Sequence, residues 1–92
     1  MIQVEESGKG KYEVTVVQRT TTVHTVSVSP EYYQALTGGR IPCEKLIEMS
    51  FAFLLERESN TSILSSFDLP VIGRYFPEYE RTIKGQIAGL ST

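Results

Sequence analysis

Thr25-Val26-Ser27-Val28-Ser29-Pro30-Glu31 changes its period in mid-run, and that change decides the fold. Up to Val28, apolar and polar side chains alternate with the two-residue period of a strand that has one covered face. At Ser29 the residues become those of a helix start: a hydroxyl able to cap, a proline suited to the first helical position, and Glu31 at the positive end of the helix dipole. A strand therefore runs straight into a helix.

Backwards from this junction the alternation continues, at Ile2 and Val4 and again at Tyr12, Val14 and Val16. Ser7-Gly8-Lys9-Gly10 and the polar Gln18-Arg19-Thr20-Thr21 stretch carry the turn residues that reverse the chain between strands. The reading is a three-stranded antiparallel meander within residues 1–29. Its parity puts His24, Val26 and Val28 on a face that other elements must cover. Glu13, Thr15, Thr25 and Ser27 fall on the open face, with Val17 and Val23 as apolar exceptions.

Forwards from the junction, a short helix carrying Tyr32, Tyr33, Ala35 and Leu36 is stopped by Gly38-Gly39, and Pro42 opens a longer one expected to reach Arg57 or Glu58. On this second helix Lys45, Glu48, Ala52 and Glu56 form one polar stripe, and the apolar residues occupy about 240° of the wheel. That arc is wider than one sheet face can cover. It predicts a homodimer or larger symmetric assembly, with Met49, Phe51, Phe53 and Leu55 as candidate interface residues. Ser59-Asn60-Thr61-Ser62 breaks the helix ahead of a short apolar segment, Ile63 to Phe67. Asp68 is placed to cap a further short helix that ends before Pro77. Tyr75, Phe76 and Tyr79, clustered around that proline, form a candidate interaction patch. Tyr79, Ile83 and Ile87 keep a four-residue spacing, but Gly85, Gly89 and the polar end suggest that residues 81–92 are a frayed or docked tail. The expected fold class is α+β in one domain, 1–92: strands over 1–29 and helices over 30–80, with one sheet face covered by one long and several short helices.

Composition narrows the function. Nine basic against eleven acidic residues leave a net charge of −2, which offers no general attraction for nucleic acid or anionic membranes. The chain contains no apolar run long enough to span a bilayer and no signal-type start, so the expected location is cytoplasmic. One histidine and one cysteine exclude a structural metal site built from these residues, and a single cysteine excludes an internal disulfide. No cofactor motif is present; Ser7-Gly8-Lys9-Gly10-Lys11 lacks the glycine spacing of a phosphate loop and opens no helix. Cys43, near a helix start, is the one candidate nucleophile, but it reads as a small packing residue, and strand position gives His24 no reason to face it. The acids lie scattered on a solvated helix stripe and in turns. The chain is read as no enzyme.

From Val23 to Glu58 the order of strand, capped short helix, glycine turn and longer apolar helix resembles the ribbon-helix-helix family of DNA-binding regulators. The resemblance implies a strand paired with its twin in a dimer, with Val23, Thr25 and Ser27 as the readers in the major groove. These side chains include none that make bidentate base contacts, and Pro42 removes a phosphate-facing donor at the start of the second helix. The run Phe67-Asp68-Leu69-Pro70-Val71-Ile72-Gly73-Arg74-Tyr75-Phe76-Pro77-Glu78-Tyr79-Glu80, after Leu54-Leu55-Glu56-Arg57-Glu58, resembles a group of small bacterial α+β proteins with no assigned activity. The expectation is a non-catalytic protein-interaction or oligomerisation domain, with a divergent ribbon-helix-helix regulator or antitoxin-like DNA binder as the alternative.

Overall fold

Residues 1–90 are described by a computed structural model. Strands β1 (Ile2–Gly8), β2 (Lys11–Val17) and β3 (Thr21–Ser27) lead into helices α1 (Pro30–Thr37) and α2 (Cys43–Leu55), then β4 (Ser66–Asp68), α3 (Ile72–Tyr75) and α4 (Tyr79–Leu90). Single 3₁₀ turns at Asn60–Ser62 and Leu69–Val71 flank β4. The class is α+β, and β1, β2 and β3 form the expected antiparallel meander, pairing Val4 with Val14 and Val14 with His24. The sheet has a fourth strand, however. β4 pairs parallel to β3, matching Thr25 with Ser66 and Val26 with Phe67, so the order is β1-β2-β3-β4 and the sheet is mixed.

The junction at Ser29 behaves as its residues require. The Ser29 hydroxyl accepts from the Tyr32 amide at 3.1 Å, Pro30 begins α1, and Gly38 ends it in the left-handed region at φ 61°. Pro42 occupies the cap position before α2 rather than its first turn, so it removes no donor from that turn. α2 stops at Leu55, short of Arg57. Ser27 on the open side of β3 donates to the Asp68 carboxylate, which ties β4 to β3; Asp68 makes no helix cap.

Parity is as expected: His24, Val26 and Val28 are buried beneath the helices, while Thr25 is exposed and Ser27 half-exposed. Against this face α2 presents Leu46, Ile47, Phe51 and Leu54. Phe51 meets His24 and Phe67 at ring separations of 5.4 and 6.0 Å. Phe53, on the other side of the helix, lies edge-on to Tyr79 at 5.3 Å and Phe76 at 5.9 Å, with the Arg57 guanidinium 3.6 Å from its ring centre. Phe51 and Phe53 are thus covered by the chain's own residues, while Met49 and Leu55 at the margins of the arc stay half-buried. This corrects the inference that a second copy must bury Phe51 and Phe53.

Of the two readings of the tail, frayed or docked, the docked one describes it as far as residue 90. α4 buries Tyr79, Ile83 and Ile87 on one stripe, and Gly85 and Gly89 lie on its exposed side. Each glycine costs a helix about 1 kcal/mol relative to alanine, whereas each buried isoleucine returns roughly 1.5–3 kcal/mol. Packing wins over propensity. Residues 91–92 of the expected tail lie outside the described residues.

Candidate interaction surfaces

The candidate residues read from the sequence separate into interior and surface groups. Phe51, Phe53 and Tyr79 are interior, at 0–2% exposure. Tyr79 closes its hydroxyl onto the buried Ser50 hydroxyl at 2.6 Å, and Ser50 in turn donates to the Leu46 carbonyl. Met49 and Leu55 remain half-buried on the outer side of α2. Tyr75 is 66% exposed beside the half-buried Phe76.

Val23, Thr25 and Ser27 do sit on the open sheet face, but their strand is interior. β2 pairs along its whole length, and β4 occupies the other edge from Thr25 to Ser27. The Asn60 amide adds bonds to the Thr20 carbonyl and the Thr22 hydroxyl. The twin-strand pairing that the ribbon-helix-helix resemblance implies has no free edge here, which overturns that part of the expected arrangement.

Of the sheet's two outer strands, β1 offers the longer edge, against three residues in β4. Met1 and Val17 exchange both backbone bonds, N···O 3.1 and 2.9 Å. In an antiparallel ladder such pairs alternate, so residues 1, 3 and 5 turn their amides and carbonyls toward β2. Those of Ile2, Val4 and Glu6 turn outward. A bulge between Glu6 and Gly8 ends the regular register. Five residues, Ile2 to Glu6, therefore offer a straight edge. Beside it lies an open trough whose walls include Met1, Ile2, Met49, Ala52 and Leu55, bordered by Lys45, Glu48 and Glu56.

The residues with chemical potential are held in structural roles. His24 Nδ1 lies 2.7 Å from the Leu64 carbonyl, to which it must donate, and Nε2 lies 2.9 Å from the Thr22 hydroxyl. With Nδ1 donating to a carbonyl and Nε2 in reach of a hydroxyl that can either give or accept a proton, both ring nitrogens are spent. Cys43 is half-buried; burial pushes its thiol up from the ordinary value, a hydrogen bond from Tyr12 pulls it part of the way back, and Glu44 and Glu6 raise it further. A thiol so placed is disfavoured as a thiolate nucleophile. Among the described residues no group of three or more His, Cys, Asp or Glu is arranged to hold a metal ion, and no helix is long and apolar enough to cross a membrane.

Pattern reasoning had no means to single out Ile2, Val4 and Glu6, because edge position and bond direction depend on which strand is outermost. Their alternation marks them as strand residues only. Compared with protein-family models, curated proteins and solved structures, the chain has no match.

Proposed function

We propose that this chain is a non-catalytic interaction module that pairs with a second copy of itself along β1. The free edge of Ile2 to Glu6 beside the Met49 and Leu55 trough carries the reading, because unpaired strand edges next to apolar surface are templates for adding another strand. A two-fold axis at Val4 suits the outward bonds: Val4 faces its twin as a hydrogen-bonded pair, Gln3 faces Glu5, and Ile2 faces Glu6. No acid then opposes an acid across the axis. An axis at Glu5 would set Glu5 against itself and is disfavoured for that reason. The arrangement joins two sheets into one and brings the two α2 flanks to the same side.

Sedimentation or light scattering on the wild type, Val4→Pro and Met49→Glu tests it, with circular dichroism to check the fold. Proline at Val4 removes an outward amide without touching the β1–β2 ladder. The expected result is a wild-type dimer and two folded monomers. A wild type that stays monomeric at high micromolar concentration, or a dimer indifferent to Val4→Pro, sinks the proposal.

A further inference from the structure

At the opposite edge of the sheet, a cavity of about 170 Å³ opens between the end of α2, β4 and α3. Leu54, Ile63 and Ile72 are buried in its floor, and Leu64 and Tyr75 stand on its rim at 48% and 66% exposure. Glu58 is the one charged residue in the lining, and its carboxylate has neither a hydrogen-bond nor an ion-pair partner among the described residues. We infer that this pit is a docking site for a partner protein's peptide segment in which an aromatic or large aliphatic side chain is followed or preceded by lysine or arginine.

Size decides the first half of this inference. Pockets for cofactors and drug-sized ligands run from roughly 300 to 1,000 Å³, and a cavity of about 150 Å³ holds one benzene ring. The pit is therefore too small for a cofactor and matches a single anchoring side chain, the kind of buried group that dominates interface energetics. Charge decides the second half. An unpaired carboxylate at an apolar rim favours a cation immediately beside the anchor, and the lining supplies no base of its own to satisfy it. Two large apolar side chains left exposed at the rim give such an anchor a collar that excludes water.

The test is an amide-resolved NMR titration of the full chain with two capped dipeptides, acetyl-Phe-Lys-amide and acetyl-Phe-Glu-amide, and with benzylamine. The lysine peptide should shift the amides of Leu64, Phe67 and Tyr75, and bind about two- to fivefold more tightly than the glutamate peptide. In Glu58→Gln that preference should vanish while weak binding to the pit persists. In Tyr75→Ala, a change at an exposed position, both peptides should weaken. Shifts confined to other surfaces, equal affinity for the two peptides, or a preference that survives Glu58→Gln would overturn the proposal. So would benzylamine binding without peptide binding, which would make the pit a small-amine site. The β1 edge lies on the other side of the sheet, so the two ideas fail separately: loss of the dimer leaves this titration unaffected.

Discussion

At the scale of single residues, the open sheet face sets Glu5 directly opposite Glu13, both exposed. Like charges in that position repel by a few tenths of a kcal/mol, and opposite charges attract by a similar amount. Glu13→Lys is therefore expected to stabilise the fold by about 0.5 kcal/mol, or roughly 2–4 °C in a thermal melt of a domain this size. High salt should erase most of the gain, because the pair is solvent-exposed; a gain unchanged by salt would point to a different cause. Asn60 has the opposite character. It is 3% exposed and its amide reaches the Thr20 carbonyl at 2.7 Å and the Thr22 hydroxyl at 3.1 Å, so it pins the start of β3 to the segment that follows α2. Asn60→Ala strands those acceptors and also frees the Thr22 hydroxyl that orients His24. The expected cost is about 1–3 kcal/mol in urea unfolding, and a loss near zero would mean that water replaces the amide.

At the scale of elements, α4 carries two opposed expectations. Ile83 is fully buried, and Ile83→Ala should cost about 3 kcal/mol through the lost burial and the cavity left behind. Gly85 has negative φ and open space around its α-carbon, so Gly85→Ala should gain about 0.5–1 kcal/mol. Urea melts of the two variants read both signs, and a destabilised Gly85→Ala would show that this turn of α4 is not regular helix. The same helix shows where the sequence was legible and where it was not. α1 could be read to the residue, because Ser29, Pro30 and Gly38 act locally and each has one strong structural preference. α4 was obscured because its two glycines are local signals against a helix, while Tyr79, Ile83 and Ile87 gain from α2 and α1, which are distant in sequence. β4 was unreadable for a stronger reason: three residues carry almost no periodicity, and its pairing with β3 is decided by the path of the helices between them. Of the surface features, Met49, Leu55, Tyr75 and Phe76 were legible as apolar residues in excess. Which edge they border was not.

At the scale of the whole molecule, the buried hydroxyls and the thiol make the fold sensitive to base. Tyr12 is held well above the ordinary tyrosine range by burial first, then by hydrogen bonding with Cys43 and by the Glu6 and Glu44 charges. Tyr32 is raised by burial and by donating its proton to the Glu80 carboxylate at 2.8 Å, a bond that joins α1 to α4. Tyr79 is raised by burial, with the Ser50 bond offsetting part of the shift, and Cys43 is raised by burial as well. In each case folding favours the protonated form. The stability these groups contribute is therefore fully present below their unfolded values, near 8.5 for cysteine and 10 for tyrosine, and is lost as pH rises from there toward the folded values. The domain is expected to hold its stability through neutral pH and to unfold progressively above about pH 9–10. Tyr79→Phe separates this linkage from simple packing. It keeps the ring against Phe53 but removes one titrating hydroxyl and leaves the Ser50 hydroxyl without that partner. The variant should be about 1 kcal/mol less stable at neutral pH, yet its stability should fall less steeply with pH above 10 than that of the wild type. Denaturant melts at neutral pH and at several alkaline values give both quantities. Parallel curves for the two proteins above pH 10 would mean that Tyr79 ionises in the folded state without penalty, and that the core around Phe53 is wetter than its burial indicates.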